Sequence, residues 1–248
     1  MSWYEAPDVL VAHAHPDDET LSTGALLAHW VQAGASVHVL TATRGEQGEV
    51  VAGPLTPLEG TEDLHRHRVG ELAGALGELG VTSSAILGEP PARAAGRAPR
   101  RYHDSGMRWV TPTVAGPADI DDPLAFTQAD PDEATEDLLA WIGEVRPGLL
   151  VSYDAHGGYG HPDHVRMREV TLAASERSGI PMAEIVNDPD QPHDHWLDLD
   201  QQFASVVRAL GHHASQLTVH GRDVVHVGGQ REAIRTGVGL RLLTGPAS

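Results

Sequence analysis

The chain of 248 residues is long enough to bury a sizeable core, and its formal charge of −18 at pH 7 disfavours nucleic acid and anionic membranes as partners. It contains no cysteine, which excludes disulfides and thiolate metal sites, so any metal must be held by His, Asp, Glu or backbone oxygen. The first residues lack the features of a secretory signal, and no run approaches the roughly 20 apolar residues of a membrane span. We therefore expect a soluble cytoplasmic protein.

Apolar runs and helix-ending residues predict alternating strands and helices along most of the chain. In chain order the predicted elements are strand 9–12, helix 20–33, strand 36–43, helix 62–79, strand 84–87, helix 130–145, strand 148–153 and helix 162–178. This order predicts an α/β protein with a Rossmann-like, doubly wound and mostly parallel sheet, covered by helices on both faces.

The remaining segments carry weaker patterns. Residues 88–129, rich in Pro, Gly, Ala and Arg, predict a long irregular loop, which inside a domain is usually functional or mobile. Asp130 is predicted to cap the next helix, with Glu133 completing a capping box. After residue 179 the pattern favours a helix at 199–210 and a strand at 224–227. We expect one domain over 1–248, with a shortened C-terminal part from about 180.

Two polar loops follow predicted strands. HAHPDDE at 13–19 follows the first strand, and HGGYGHPDH at 156–164 follows the strand at 148–153. Ligands of open parallel sheets bind beyond the carboxyl ends of the strands, so both loops open on the same rim. His15, Asp18 and His164 then make a three-ligand site for Zn²⁺ or Fe²⁺, which leaves Asp17 free to act as a base. A cap on the following helix is the alternative role of Asp17.

Other histidines need no such role. His13 is expected to face the core or a neighbouring loop rather than the metal. Six further histidines in polar surroundings are expected to be surface or ordinary structural residues: His65, His67, His193, His195, His212 and His213.

At the two polar loops the sequence resembles the PIG-L/LmbE-type family of zinc-dependent N-acetylglucosamine deacetylases. The signatures are HPDDE at 15–19 and HPDH at 161–164, and the similarity extends over residues 8–178. Within this family the chain is most similar to the mycothiol-pathway enzymes that deacetylate N-acetyl-glucosaminyl-inositol. The mycothiol conjugate amidases are a sister group, which tends to have Pro where this chain has Gly160.

The resemblance implies the same three metal ligands, with Zn²⁺ or alternatively Fe²⁺ as the ion, and the same base at Asp17. By position, Tyr159 and His161 would line the pocket that stabilises the transition-state oxyanion. Metal-activated water would attack the acetyl carbonyl, and the leaving amine would take a proton from Asp17 or from His161. For Tyr159, a packing role is the alternative.

The resemblance also implies residues that bind substrate. Arg68 and Asp104 correspond to sugar-binding positions. Glu49 and Ser22 also correspond to substrate-binding positions. Asp163 corresponds to a partner that orients a histidine ligand. An ordinary ion pair on the helix is the alternative for Arg68, and a turn in the long loop is the alternative for Asp104.

Three functions stay open on this basis. The first is metal-dependent hydrolysis of the N-acetyl amide of an amino sugar or sugar conjugate. The second is an amidase or another tailoring activity on a thiol conjugate or natural product. The third is a binding protein without activity, against which the intact Asp17 argues. A dinucleotide-binding protein is disfavoured, because the first turn lacks G-x-G-x-x-G and its acids would repel a pyrophosphate. A homo-oligomer is compatible with the sequence.

Overall fold

The computed structural model describes residues 8–119 and 121–244. Its strands are β1 Asp8–His13, β2 Ser36–Thr41, β3 Ser83–Ile86, β4 Met107–Trp109, β5 Ala115–Pro117, β6 Leu149–Ser152, β7 Met182–Val186, β8 His195–Asp198, β9 Leu217–His220, β10 Asp223–His226, β11 Arg231–Ala233 and β12 Gly237–Thr244. Its α-helices are α1 Asp18–Gln32, α2 Glu62–Leu79, α3 Pro131–Val145, α4 Pro162–Ser178 and α5 Phe203–Leu210.

Seven strands form one sheet in the order β3-β2-β1-β6-β7-β12-β8. The strands from β3 to β7 are parallel, whereas β12 runs antiparallel to both of its neighbours. The α/β class with a mostly parallel sheet is therefore confirmed. The sequence pattern after residue 179 did not indicate β7, β8 or β12, which complete this sheet.

Side chains of the central strand alternate between two apolar layers, as the two-residue period of a strand requires. Val9 and Val11 pack with α1, α2 and α5 on one face. Leu10 and Ala12 pack with α3 and α4 on the other face. The sheet is thus covered on both faces, which explains why its central strands are continuous runs of Val, Leu and Ala rather than alternating polar and apolar residues.

Helix boundaries follow local capping rules. Thr61 accepts a hydrogen bond from the Leu64 backbone N–H at the start of α2, and Gly80 ends that helix with a left-handed φ of 76°. Asp130 caps α3 by accepting from the Asp132 N–H at 2.9 Å. Glu133 does not complete the expected capping box. Its carboxylate instead accepts hydrogen bonds from two arginines of the preceding loop.

The segment expected to be an irregular loop has structure of its own. It contains the antiparallel hairpin of β4 and β5 and is anchored to α3. The buried carboxylate of Asp137 accepts from Arg93 Nη1, the Tyr102 hydroxyl and the Ala94 N–H at 2.7–2.8 Å. None of the helices within the described ranges is long and apolar enough to cross a membrane.

This anchor yields a stability prediction. Asp137→Ala is expected to lower the free energy of unfolding by about 3 kcal/mol, the lower end for a broken buried ion pair, because Glu133 remains as a second partner of Arg93. Urea unfolding measures the change. Glu136→Ala is the matched control, since its pair with Arg97 is on the surface, and we expect a change below about 1 kcal/mol. Equal losses in the two variants would contradict the anchor.

Candidate active site

The two polar loops converge because their strands are neighbours. β1 pairs directly with β6, with Val9 opposite Leu149 and Val11 opposite Val151. The loop after β1 leads into α1, and the loop after β6 leads into α4. Both loops and both helix N-termini therefore lie at the same edge of the sheet, as expected for a ligand site at the carboxyl ends of parallel strands.

Three predicted ligands meet at this edge. Asp18 Oδ2 lies 3.3 Å from His15 Nδ1 and 3.2 Å from His164 Nε2. All three side chains are buried. Ligand atoms bound to Zn²⁺ at about 2.0–2.1 Å in a tetrahedron are about 3.3 Å from one another, so both separations suit a common ion.

The hydrogen bonds of the two imidazoles set their tautomers. His164 Nδ1 lies 3.1 Å from the Gly157 carbonyl, which only accepts, so this nitrogen carries the proton. His164 Nε2 is buried and makes no hydrogen bond within the described part of the chain. His15 Nε2 donates to Asp163 Oδ2 at 3.1 Å, so in the neutral ring its lone pair is on Nδ1. Both lone pairs thus belong to the nitrogens next to Asp18, an arrangement that fits a cation.

The charges at this point also favour a cation. Burial raises the pKa of Asp18, but attraction to His164 and His15 outweighs it and holds the pKa well below its usual value. Burial lowers the pKa of His15, whereas Asp104, Asp163 and Asp18 raise it well above its usual value. Asp18 is therefore ionised, and the carboxylates around His15 stabilise positive charge at this position.

His161 lies close enough to be considered as a ligand. Close donor atoms group His15 with His161 and His164, and in a second set with Asp104, His161 and Asp163. However, His161 Nδ1 accepts from the Asp163 backbone N–H at 3.1 Å, so the proton of the neutral ring is on Nε2. Burial, with the neighbouring histidines, lowers the pKa of His161 and keeps the ring neutral. His161 Nε2 is therefore a hydrogen-bond donor rather than a free lone pair.

Asp163 and Asp104 surround His15 from the side opposite Asp18. Asp163 Oδ2 accepts from His15 and from the Ser105 N–H at 2.8 Å, while its Oδ1 accepts from the Ser105 hydroxyl at 2.5 Å. Asp104 Oδ1 lies 3.5 Å from His15 Nε2 and 4.0 Å from His161 Nε2. These carboxylates orient the histidines, and Ser105 links the long loop to α4.

Asp17 lies at the start of α1 but does not cap it through its side chain. Its φ of 112° is in the left-handed region, a conformation that costs a non-glycine residue of order 1–3 kcal/mol. Burial raises the pKa of Asp17 to about 6, against the opposing effect of Arg68. The carboxylate keeps some exposure and lies 3.5 Å from Arg68 Nη2, so it is available to a ligand in the site.

Arg68 is buried and bound to backbone rather than exposed to solvent. Its guanidinium donates to the Gly45 carbonyl at 2.6 Å and to the Pro16 carbonyl at 2.7 Å. A Cβ at Gly45 would come within 1.8 Å of the guanidinium, which explains the glycine there. Arg68, expected at a sugar-binding position, thus supports the loop that carries Asp17.

Tyr159 lies at the mouth of the site and is 40% exposed. Its ring is edge-on to His164, with centroids 5.1 Å apart, and lies 5.7 Å from the ring of Trp109 on β4. The Ala115 N–H donates to the Tyr159 carbonyl at 2.8 Å, which holds the hairpin against this loop. An aromatic surface therefore leads from solvent to the histidines.

Glu49 and Ser22 are the other positions that the resemblance assigned to substrate binding. Glu49 is exposed, and its carbonyl accepts from the Gln216 side chain at 3.2 Å. Ser22 is half-buried on the second turn of α1. His13 is buried, with Nε2 2.9 Å from the Thr23 hydroxyl, as expected for a residue that faces the core.

Sequence reasoning missed two residues at the site. The Tyr153 hydroxyl donates to Asp18 Oδ2 at 2.7 Å, and its ring stacks on His164 with centroids 4.1 Å apart. His213 is fully buried and lies 2.8 Å from Glu19, the third acid of the first loop. Tyr153 directly follows β6, so it lies at the carboxyl end of a strand, where ligand-binding residues were expected. His213 was expected among surface or ordinary structural residues, although HASQ at 213–216 also resembles a family stretch near the C-terminal half. Nothing in that stretch indicated its contact with Glu19.

Comparison with known proteins places these residues in a wider group. Residues 10–175 match the family model described as PIG-L: GlcNAc-PI de-N-acetylase. A Kineococcus radiotolerans protein named 1D-myo-inositol 2-acetamido-2-deoxy-alpha-D-glucopyranoside deacetylase is 45% identical over 166 residues, which are 67% of this chain and 44% of that protein. A Kribbella flavida protein of the same name is 40% identical over 226 residues, 88% of this chain and 72% of that protein. The matched part is thus less than half of the first relative's length.

Two solved structures share the fold at low sequence identity. A deacetylase of teicoplanin biosynthesis in complex with teicoplanin has a TM-score of 0.61 at 21% identity, covering 96% of this chain and all of that chain. The 4-carboxy-2-hydroxymuconate hydratase of Pseudomonas putida KT2440 has a TM-score of 0.61 at 16% identity, covering 97% of this chain and 98% of its own. Because these chains carry different activities, the likeness indicates the fold alone.

The tautomers lead to a test of the ligand set. His164→Ala and Asp18→Ala are expected to lose stoichiometric zinc, because each removes a donor from the group around Asp18 Oδ2. His161→Ala is expected to keep zinc, as is the control His156→Ala, an exposed histidine of the same loop. Metal analysis after dialysis measures the content. Zinc lost in His161→Ala but kept in Asp18→Ala would instead favour the group of three histidines.

Proposed function

The chain belongs to the PIG-L family of GlcNAc-PI de-N-acetylases, and we propose that it hydrolyses the N-acetyl amide of an amino sugar or sugar conjugate with the help of a bound metal ion. One observation carries this proposal. Two imidazole nitrogens, of His15 and His164, each lie within 3.3 Å of the same oxygen of Asp18. The Asp17 carboxylate and the His161 N–H lie beside this group and are not needed as ligands. That combination suits amide hydrolysis by activated water.

His15, Asp18 and His164 would hold the ion. Zn²⁺ suits this set of two imidazoles and one carboxylate, and Fe²⁺ is the alternative. When bound, such an ion lowers the pKa of water toward about 7 and polarises the substrate carbonyl. Tyr153 and Asp163 orient the ligands through their hydrogen bonds to Asp18 and His15.

Asp17 and His161, which are not ligands, carry out the proton transfers. Asp17 takes a proton as water attacks the acetyl carbonyl, because its carboxylate lies at the site without a capping bond. His161 Nε2–H donates to the oxygen that becomes negative in the tetrahedral transition state. The leaving amine then receives a proton from Asp17 or from His161, and acetate is released.

The mouth of the site is apolar and aromatic. Tyr159 and Trp109 line the mouth, with Val110 and Val114 exposed next to them. The formal charge of −18 disfavours an anionic substrate. The relatives of 38–45% identity are named for a deacetylase of a glucosaminyl-inositol, which supports a neutral N-acetylglucosamine conjugate as the substrate class.

An amidase or another tailoring activity on a thiol conjugate or natural product is the second candidate. A similar fold in a hydratase favours keeping it, since this scaffold supports more than one reaction. Gly160, where the conjugate amidases tend to have Pro, favours the deacetylase. The single domain, the cytoplasmic location and the homo-oligomer stay predictions.

Acetate release by the zinc-loaded protein tests the proposal. The panel contains N-acetylglucosamine, its inositol conjugate, diacetylchitobiose and bulkier N-acetyl glycosides. Release that depends on Asp17 and on zinc would support the deacetylase, and the preferred substrate would identify the conjugate. Zinc bound without acetate release from any of them would reject this proposal in favour of the amidase or tailoring activity.

Asp17→Asn is expected to retain zinc and to lose about 10²–10⁴-fold in kcat, the usual contribution of a positioned general base. The amide keeps the size of the side chain, so the thermal unfolding temperature tests whether the loop is intact. Asp8→Asn, at the opposite end of β1, is the control and should retain the wild-type rate. A near wild-type rate in Asp17→Asn would show that another group is the base.

Trp109→Ala is expected to raise KM for bulky N-acetyl glycosides by about tenfold and to leave kcat nearly unchanged, because the ring contributes binding that does not change in the transition state. Free N-acetylglucosamine should be less affected. Leu243→Ala, an exposed apolar residue on β12, serves as the control. A loss confined to kcat would exclude this binding role.

A further inference from the structure

Glu19 and His213 form a fully buried pair that the proposed reaction does not use. His213 Nε2 lies 2.8 Å from Glu19 Oε1, and both side chains are 0% exposed. His213 follows α5 and lies outside residues 10–175, which match the family. Burial lowers the pKa of His213, but the charge and hydrogen bond of Glu19 outweigh it and raise the pKa. The pair links the C-terminal part of the chain to the first turn of α1.

The second oxygen of Glu19 reaches the backbone of Asp17. Glu19 Oε2 accepts from the Asp17 N–H at 2.9 Å. The carbonyl of the same peptide unit, on Pro16, accepts from Arg68 Nη2 at 2.7 Å. Because a peptide unit is planar, hydrogen bonds at both of its polar groups restrain the rotation of the whole plane. That rotation sets the φ angle of Asp17.

Asp17 has a conformation that requires such a restraint. Its φ of 112° and ψ of −31° are in a region that residues other than glycine rarely adopt. Its side chain makes no capping bond to α1, so the conformation is held through the backbone. If the peptide plane turned, the carboxylate would move with the Cα–Cβ bond of Asp17.

Building on the proposed function, we propose that Glu19 and His213 are positioning residues that hold the peptide unit between Pro16 and Asp17 and thereby direct the Asp17 carboxylate at the attacking water. Glu19 makes the contact, and the hydrogen bond from His213 holds the Glu19 carboxylate in place. The C-terminal part of the chain thus supports turnover without touching the substrate.

Variants of His213 test the proposal in the zinc-loaded protein. His213→Ala is expected to lower kcat by about 10–100-fold, the usual effect of losing a partner that orients a site residue, while KM and zinc content stay within about twofold of wild type. His213→Gln is expected to recover most of the rate, because its side-chain amide can donate to Glu19 Oε1.

Ser215→Ala is the matched control. Ser215 is buried in the same stretch and donates to Glu71 through its N–H and its hydroxyl, at 2.8 and 2.6 Å. Losing the hydroxyl should lower the thermal unfolding temperature and leave kcat unchanged. A wild-type kcat in His213→Ala would overturn the proposal. So would equal losses in all three variants that follow their unfolding temperatures, because a purely structural role predicts that result.

Amide hydrogen exchange tests whether Glu19 holds the Asp17 N–H, without any substrate and without a variant that must fold. In the wild-type protein, the Asp17 N–H is expected to exchange at least about tenfold more slowly than an unstructured amide, because Glu19 accepts it in a buried site. NMR of the labelled full chain measures this rate, and His213→Gln should preserve the protection. An unprotected Asp17 amide in the wild type would overturn the proposal. Absence of acetate release with a protected amide would instead count against the proposed function alone.

Discussion

Five buried or nearly buried carboxylates lie together at the carboxyl ends of β1 and β6, and the structure around them depends on how their charge is balanced: Asp17, Asp18, Glu19, Asp104 and Asp163. An ionised carboxylate taken out of water is costly unless it is paired and hydrogen-bonded. Arg68 and His213 supply part of the positive charge. The lone pairs next to Asp18 call for one further cation, which is where the proposed metal belongs.

This balance joins segments that are far apart in the chain. Ser105 brings the long loop to Asp163, and His213 brings the C-terminal part to Glu19. Arg68 brings α2 to the loop after β1. Each contact neutralises a carboxylate or satisfies its hydrogen bonds. Each also fixes a side chain close to the candidate ion. The same bonds that make the buried charge tolerable therefore also preorganise the site, which is the main requirement for electrostatic catalysis.

The chemistry depends on this arrangement of donors more than on the fold. A hydratase and a teicoplanin deacetylase align with the chain at similar TM-scores, so the sheet and its helices do not select the reaction. Amide hydrolysis is favoured because neighbouring residues of the site have different chemical roles. Two histidines present lone pairs, a third presents an N–H, and one of two adjacent aspartates stays outside the proposed ligand set.

The sequence by itself determined the parallel strands of the first two thirds, the helices between them and the edge at which the site lies. Those features depend on side-chain periodicity, on caps such as Thr61 and Gly80, and on polar motifs that follow strands, all of which are local. Only the tertiary structure decided that β12 completes the sheet, that Arg68 binds backbone and that His213 is buried against Glu19. Each depends on contacts between residues distant in sequence, whose partners local patterns do not specify.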